Sequence, residues 1–465
     1  MISSDNNSKI YKRKLQFQER RYFCTPNSVN YLVIRIKGNI SKKLLKKAIA
    51  KAQIRHKLLQ AKLLIDKNND VWLTTNNVED ITLEIKERKY ENQWIQKCLE
   101  ENFIQFDYYN HPLIKFFLLY SKEVSDLIIK ADHVFADGLA LSYLTRDIFE
   151  YIKDPSKKVE KLPIPPTVNL DIIPSDVSEN YFVIKFIEWI NKRWDKNKLK
   201  LNIEDYRQLF NAYWKKYPTK HLQINFTKKE TSQLIDLCNK SGISVNTGLI
   251  ASIVRSQSIV KKTNKQKKGG IAISTRNHLK VDIDNFYGFF ATSMFLGLKN
   301  KPNKSFLDLA KIYHKKINSK IKKKTFLVNL LRFNLLDPSI NDGIIVKMFG
   351  DIVTKKYQHF SKLYSYSKKK DFVSLILNWA VNKHFDFGLT NLGSIDLNEK
   401  YGKLRIDRVF YLSHITPYTD IVFSAVTASD KLSIGISYLE NNVNTEDILK
   451  IKNLFYKLLK GENPL

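Results

Sequence analysis

Cysteine is scarce in this chain. Cys24, Cys98 and Cys238 are the only three among 465 residues, too few and too scattered for a disulfide framework or a paired zinc-ligand motif, and they point to the reducing cytoplasm. Long apolar runs are missing as well. No stretch of about 18 consecutive apolar residues occurs, so a spanning helix is not expected. Met1 to Lys14 is polar and basic and lacks an apolar segment of signal-peptide length. Familiar catalytic signatures are also absent. With no HExxH pair and no Cys-His cluster of zinc spacing, no metal site is expected. There is no GxSxG elbow, Walker loop or GxGxxG fingerprint, which argues against serine-elbow hydrolases, P-loop enzymes and dinucleotide-binding folds.

Acidic residues are few relative to basic ones: 46 Asp and Glu stand against 78 Lys and Arg, for a formal net charge of +32. The excess recurs along the whole chain, with local runs at Lys265 to Lys268, Lys322 to Lys324 and Lys368 to Lys370. Each run on its own reads as a solvated face. Together they suit phosphates, acidic carrier proteins or anionic lipid headgroups. No zinc finger, RNA-binding signature or basic zipper accompanies them, so nucleic acid is not the expected partner.

What is present is ample core material, 43% hydrophobic and 12% aromatic residues, which excludes disorder over most of the chain. Ser41 precedes Leu44, Leu45, Ala48, Ile49 and Ala52, a capped helical spacing. Leu58 to Ile65, Val71 to Thr75 and Ile81 to Ile85 read as strands, and Asn92 to Phe103 as a helix. Leu113 to Tyr120 and Asp126 to Ala131 flank a polar tip and form a hairpin that delivers the chain into His133. Ala140 to Ile152 is helical. Prolines at 155, 163, 165, 166 and 174 mark an extended linker. They suggest two lobes, residues 1–175 and 176–465. In the second, helices are expected over 183–193, 227–237, 246–254 and 447–459. Strands are expected over 221–226, 270–274, 289–298, 372–380, 404–412, 421–427 and 431–438. The fold class is mixed α/β, with sheets covered by helices.

Histidine is the side chain best matched to proton transfer near neutral pH. Of nine, His56, His111, His133, His221, His278, His314, His359, His384 and His414, only His133 sits in a chemically suggestive segment: His133-Val134-Phe135-Ala136-Asp137-Gly138, at a strand end before a helix. A His-x-x-x-Asp-Gly match arises by chance in roughly one such chain in a hundred. The plain alternative is a core histidine followed by an ordinary Asp-Gly turn.

The surroundings of this segment resemble the chloramphenicol acetyltransferase-like superfamily, which includes peptide-synthetase condensation domains, HxxxDG acyltransferases and alcohol acetyltransferases. Gln18-Glu19-Arg20 resembles the opening Gln-x-Arg element. Arg55-His56-Lys57-Leu58-Leu59 resembles the "RHPxLR" element, with Lys57 for Pro and Gln60 for Arg. His111-Pro112-Leu113 resembles the "PLxR" lead-in to the hairpin. Asp132 stands where condensation domains carry the first of two histidines. Ser241 to Asn246 resembles "GxTxN/S", Ser274-Thr275-Arg276 with Gly288-Phe289-Phe290 resembles the "R…GxF" strand pair, and Thr390-Asn391-Leu392-Gly393 resembles the "S/TNxG" loop. Ser437 to Glu446 resembles the approach to the last helix. The likeness runs in order over nearly the full length.

This resemblance implies a two-lobed sandwich with a tunnel between lobes. It implies transfer of an acyl group from acyl-CoA or a phosphopantetheinyl carrier protein to a hydroxyl or amine, with no permanently bound cofactor and no covalent enzyme intermediate. His133 would be the general base. Asp137 would pair with an arginine to fix the loop, Arg20 being the first choice and Arg276 the second. Gly138 would allow a special backbone conformation or a close approach. Thr390, Asn391 or a nearby backbone amide would stabilise the oxyanion. His56, Phe135 and Tyr143 read as structural. The Lys261 to Lys268 run is either a solvated loop or part of a positive tunnel mouth. Phe326 to Leu336 would line the tunnel, rest peripherally on a membrane or pack internally, the last being favoured. A catalytically inactive binding module with this fold is the alternative function.

Overall fold

The computed structural model describes residues 10–23, 25–196, 198–353 and 361–462. Cys24 and His359 lie outside them. The first half supplies β1 (Lys12–Lys14), α1 (Phe17–Tyr22), β2 (Val29–Lys37), α2 (Lys42–Arg55), β3 (Lys62–Ile65), β4 (Val71–Thr74), β5 (Leu83–Glu87), α3 (Gln93–Asn102), β6 (Ile114–Tyr120), β7 (Val124–Asp132) and α4 (Gly138–Lys153). The second supplies α5 (Tyr181–Lys196), α6 (Ile203–Lys216), β8 (Thr219–Asn225), α7 (Lys228–Lys240), α8 (Val245–Val260), β9 (Lys267–Ser274), β10 (Ala291–Leu298) and α9 (Phe306–Lys322). It continues with α10 (Thr325–Leu335), α11 (Ile340–Met348), α12 (Ser361–Lys368), α13 (Phe372–Val381), β11 (Phe387–Ser394), β12 (Lys400–Tyr401), β13 (Leu404–Leu412), β14 (Ile421–Ala428), β15 (Lys431–Leu439) and α14 (Thr445–Leu459).

Two six-stranded mixed sheets carry the fold, in the orders β12-β13-β2-β7-β6-β5 and β10-β9-β11-β14-β15-β8. A small third sheet has the order β1-β4-β3. The chain between 154 and 180 holds no helix and no strand beyond a single bridge. The two halves of the sequence are interleaved: β12 and β13, from late in the chain, complete the sheet built by the first half.

Local chemistry explains most elements. The Ser41 hydroxyl accepts from the Leu44 amide at 3.3 Å and starts α2. The β6–β7 hairpin turns on Ser121, whose hydroxyl donates to the Val124 carbonyl at 2.7 Å. Leu127, Ile128, Ile129 and Ala131 are fully buried, as suits a strand covered on both faces. Residues 326–336 pack inward: Phe326, Leu327 and Leu330 of α10 close a small core with Ile173 and Val177. Residues 372–380, expected as a strand, form the helix α13 instead. The segment is apolar except at Ser374 and Asn378 and carries no period that separates strand from helix, and the Asp371 side chain decides it by accepting the Ser374 amide at 2.8 Å as an N-cap. Among the described residues no helix is long and apolar enough to cross a membrane, and no group of three or more His, Cys, Asp or Glu could hold a metal ion. Cys98 and Cys238 are buried and unpaired.

Candidate active site

The strand register brings the site together. β2 is antiparallel to both β7 and β13, with Asp132 opposite Val29 and Leu412 opposite Tyr31. The ends of β7 and β13 therefore emerge side by side, flanking the start of β2. His133 follows β7 directly, its backbone amide donating to the Ser28 carbonyl at 2.8 Å. His414 follows β13 by one residue. Their rings lie 5.1 Å apart, nearly edge to face. The Tyr22 ring sits 4.4 Å from His133, and Phe289 meets it edge-on at 4.9 Å.

The His133 ring is oriented by its own loop. Nδ1 lies 2.6 Å from the Ala136 carbonyl oxygen. A carbonyl only accepts, so Nδ1 carries the hydrogen and donates it. Asn30 Nδ2 stands 2.7 Å from the same nitrogen, while Asn30 Oδ1 is buried without a partner. The same Nδ2 donates to the Ala136 carbonyl at 3.3 Å. With Nδ1 occupied, the lone pair belongs to Nε2, which makes no hydrogen bond to any described residue. Burial holds the His133 pKa down at about 4, against a smaller upward pull from the Ala136 carbonyl and Asp137. His414 is held well below the usual imidazole value by burial and by His133. Both imidazoles are neutral at pH 7.

Asp137 is saturated. Its Oδ1 accepts the Ala140 amide at 2.8 Å and caps α4, while its Oδ2 accepts Arg276 Nη1 at 2.5 Å and the Phe290 amide at 2.8 Å. Arg276 Nη2 also reaches the carbonyl of Gly288 at 3.2 Å. The loop that carries His133 is thus pinned to the second half of the chain by a buried ion pair. Arg20, the first choice of partner from sequence, is elsewhere. Nη2 forks onto Asp342 of α11 at 2.7 and 2.8 Å, and Asp342 also accepts the Leu201 amide and the Tyr206 hydroxyl. The reason is position: Arg20 lies in the last turn of α1, against α11, whereas Arg276 follows β9 directly into the segment that faces Asp137.

Gly138 answers a close approach. A Cβ there would lie 2.4 Å from Leu392 Cδ2 and 3.0 Å from Tyr411 Cζ. Thr390 and Asn391 fall on β11 rather than in a loop, just before a bulge at which Gly393 adopts φ +69°. The Asn391 oxygen is occupied by the Gly393 amide at 2.9 Å, which makes Asn391 the organiser of that bulge and leaves Thr390 as the side chain of the pair open to chemistry.

A cavity between the two halves collects these groups. Its wall includes His133, Gly138, Thr390 and His414, with Tyr22 and Phe289 beside the imidazole. Asp132 is a buried structural carboxyl. It accepts the Val134 amide and the Tyr108 hydroxyl, both at 3.0 Å, and burial raises its pKa to about 7. His56 is likewise structural, its Nε2 2.9 Å from Asp147. Phe135 is core, and Tyr143 covers the Arg276 guanidinium. In the Lys261 to Lys268 run, Lys261 pairs with Asp420 and Lys267 with Asp386, which ties that stretch to the fold. Sequence reasoning did not single out His414, Asn30 or Tyr22. The available signal for His414 was its place just past a strand end, as for His133.

Condensation domain is the family whose pattern matches residues 14–170. No curated protein sequence matches the chain. Solved structures match over nearly the full length. Trichothecene 15-O-acetyltransferase TRI3 from Fusarium sporotrichioides is similar at 12% identity with a TM-score of 0.67, covering 98% of this chain and 96% of that one. Polyketide synthase associated protein 5 from Mycobacterium tuberculosis is similar at 13% identity and a TM-score of 0.60, covering 96% and 97%. The epimerization domain from the third module of tyrocidine synthetase B is similar at 11% identity and a TM-score of 0.62, covering 99% and 98%. Identities this low speak to fold. The chain has the two-lobed fold of these solved structures, and its residues 14–170 match the condensation-domain pattern.

Proposed function

We propose that the protein is an acyltransferase that moves an acyl group from a thioester, acyl-CoA or an acyl-carrier protein, to a hydroxyl or amine, with His133 as general base. One observation carries the reading: a neutral His133, its Nδ1–H fixed on the Ala136 carbonyl, borders a cavity shared by both halves of the chain. An imidazole held near pKa 4 cannot ionise an alcohol in advance, so Nε2 takes the proton as the acceptor oxygen or nitrogen bonds to the thioester carbon. The negative oxygen that develops needs a donor, and Thr390 on the cavity wall is the candidate. Collapse breaks the C–S bond, and the imidazolium returns its proton to the thiolate. Asp137 and Arg276 hold the loop in place and take no proton. The similarity in fold to a trichothecene 15-O-acetyltransferase and the condensation-domain match support this chemistry.

The test is thiol release from a panel of acyl-CoA and acyl-carrier thioesters offered with small alcohols and amines, for wild type and His133→Ala. Release that requires His133 supports the proposal. Equal release from both proteins refutes the base. Thioester binding without turnover in wild type would identify an inactive binding module of this fold.

A further inference from the structure

α13 is apolar over most of its surface, with Ser374 turned inward and Asn378 half-buried. Val373, Leu377 and Val381 face the core, yet Phe372, Leu375 and Trp379, at helical spacing on the opposite face, are 53%, 52% and 70% exposed. A helix of this kind in a folded chain is either fully buried or meets an apolar medium. The exposed face continues onto α5. Trp189 meets the Phe372 ring edge-on at 4.9 Å and stacks on Phe186 at 5.9 Å, and Phe182, one turn earlier, is 79% exposed. The result is a contiguous aromatic surface, far beyond the scattered apolar side chains that a monomer ordinarily exposes.

Its rim is cationic. Lys368, Lys369 and Lys370 precede α13, and Lys383 follows it, with Nζ 3.9 Å above the Trp379 ring. Lys192 and Arg193 extend the rim on α5. The acidic groups nearby are already matched: Asp371 by Lys369 and Glu188 by Lys185, at 2.7 and 2.8 Å. An aromatic centre rimmed by Lys368, Lys370 and Lys383, which form no ion pair among the described residues, is the composition of a helix that lies in the headgroup region of an anionic bilayer. The chain leaving α13 runs on to Phe385 and Phe387 in the wall of the cavity, so the surface is one short segment from the site.

We infer that the outward face of α13, with Phe182 and Phe186 of α5, is a peripheral docking surface for an anionic lipid bilayer. Phe372 and Trp379 enter the interface while the flanking lysines hold the headgroup phosphates. The inference stands whether or not the chain transfers acyl groups.

Flotation of the full chain with vesicles tests it, using phosphatidylcholine alone and phosphatidylcholine mixed with phosphatidylglycerol. The protein should float with the mixed vesicles at low salt and be released as salt rises. Phe372→Ser with Trp379→Ser should weaken partition on the order of a hundred-fold, about ten-fold per side chain, in a protein that still unfolds cooperatively, because both side chains are more than half exposed. Lys368→Glu with Lys370→Glu should weaken it by at least about ten-fold. Trp379→Phe, which preserves the apolar face, should bind like wild type yet show less fluorescence quenching by brominated lipid, the remainder coming from Trp189. Absence of wild-type flotation overturns the inference, as does a Phe372→Ser, Trp379→Ser protein that binds like wild type, or unchanged quenching in Trp379→Phe. A wild-type dimer that the serine variant dissociates, with no lipid binding, would assign the face to a second copy of the chain instead.

Discussion

Replacing Arg276 by methionine leaves Asp137 buried with its charge and without its cation. The side chains of the pair are 1% and 6% exposed, so solvent does little to soften the loss. The Ala140 and Phe290 amides would remain on the carboxylate, and the orphaned charge should still cost about 3–5 kcal/mol of folding stability. The check is urea unfolding followed by fluorescence. Arg20→Met is the matched control, since its pair with Asp342 is just as buried, at 4% and 0% exposed, but the hydrogen bonds of Asp342 go to Arg20, Leu201 and Tyr206 and not to the His133 loop. Both variants should lose comparable stability. Only Arg276→Met should lose thiol release from the folded fraction, because only Asp137 anchors the segment that orients His133. Adding Asp137→Asn to Arg276→Met removes the unpaired charge and should restore most of the stability without restoring activity. An Arg276→Met protein within about 1 kcal/mol of wild type would refute the stability reasoning. Equal activity loss in Arg20→Met would refute the positioning role.

Three further outcomes are expected. Because burial places the His133 pKa at about 4, kcat/KM should stay level as pH falls through 6.5 and drop only near 4, where the imidazole protonates; a limb near 6.5 would contradict the buried base. Gly138→Ala should destabilise by roughly 1–3 kcal/mol from overpacking, since its Cβ meets Leu392 at 2.4 Å, and Leu392→Ala in the same chain should recover part of that in thermal unfolding. Asp132 has a folded pKa raised to about 7 against an unfolded value of about 3.9. The folded state therefore binds the extra proton, and this group's contribution to stability is full below about pH 4 and is lost as pH rises to about 7. Asp132→Asn lacks that loss, so its stability relative to wild type should rise by roughly a few kcal/mol between pH 4 and pH 8 in urea unfolding. A relative stability independent of pH would show that the carboxyl is not proton-linked to folding.

Sequence by itself determined the local elements that obey a short-range rule. The hairpin into His133 follows from alternating apolar runs around a polar tip, and α2 and α7 follow from capping side chains before helical spacing. The order of family-like segments was enough to anticipate two helix-covered sheets. Where a segment lacks period, sequence misled. Phe372 to Ala380 is apolar at almost every position, so it reads as a buried strand, and the outward apolar face of α13 is the reason.

Tertiary structure decided everything that depends on which strand ends meet. β13 crosses into the sheet of the first half and sets His414 beside His133, and β2 starts between them, which brings Asn30 to the imidazole. The choice between Arg20 and Arg276 was also beyond sequence, because both are buried arginines with a carboxylate to satisfy and only the fold says which carboxylate each can reach. Spacing along a chain fixes the chemistry of a short segment; pairing across a sheet register fixes which segments share a site.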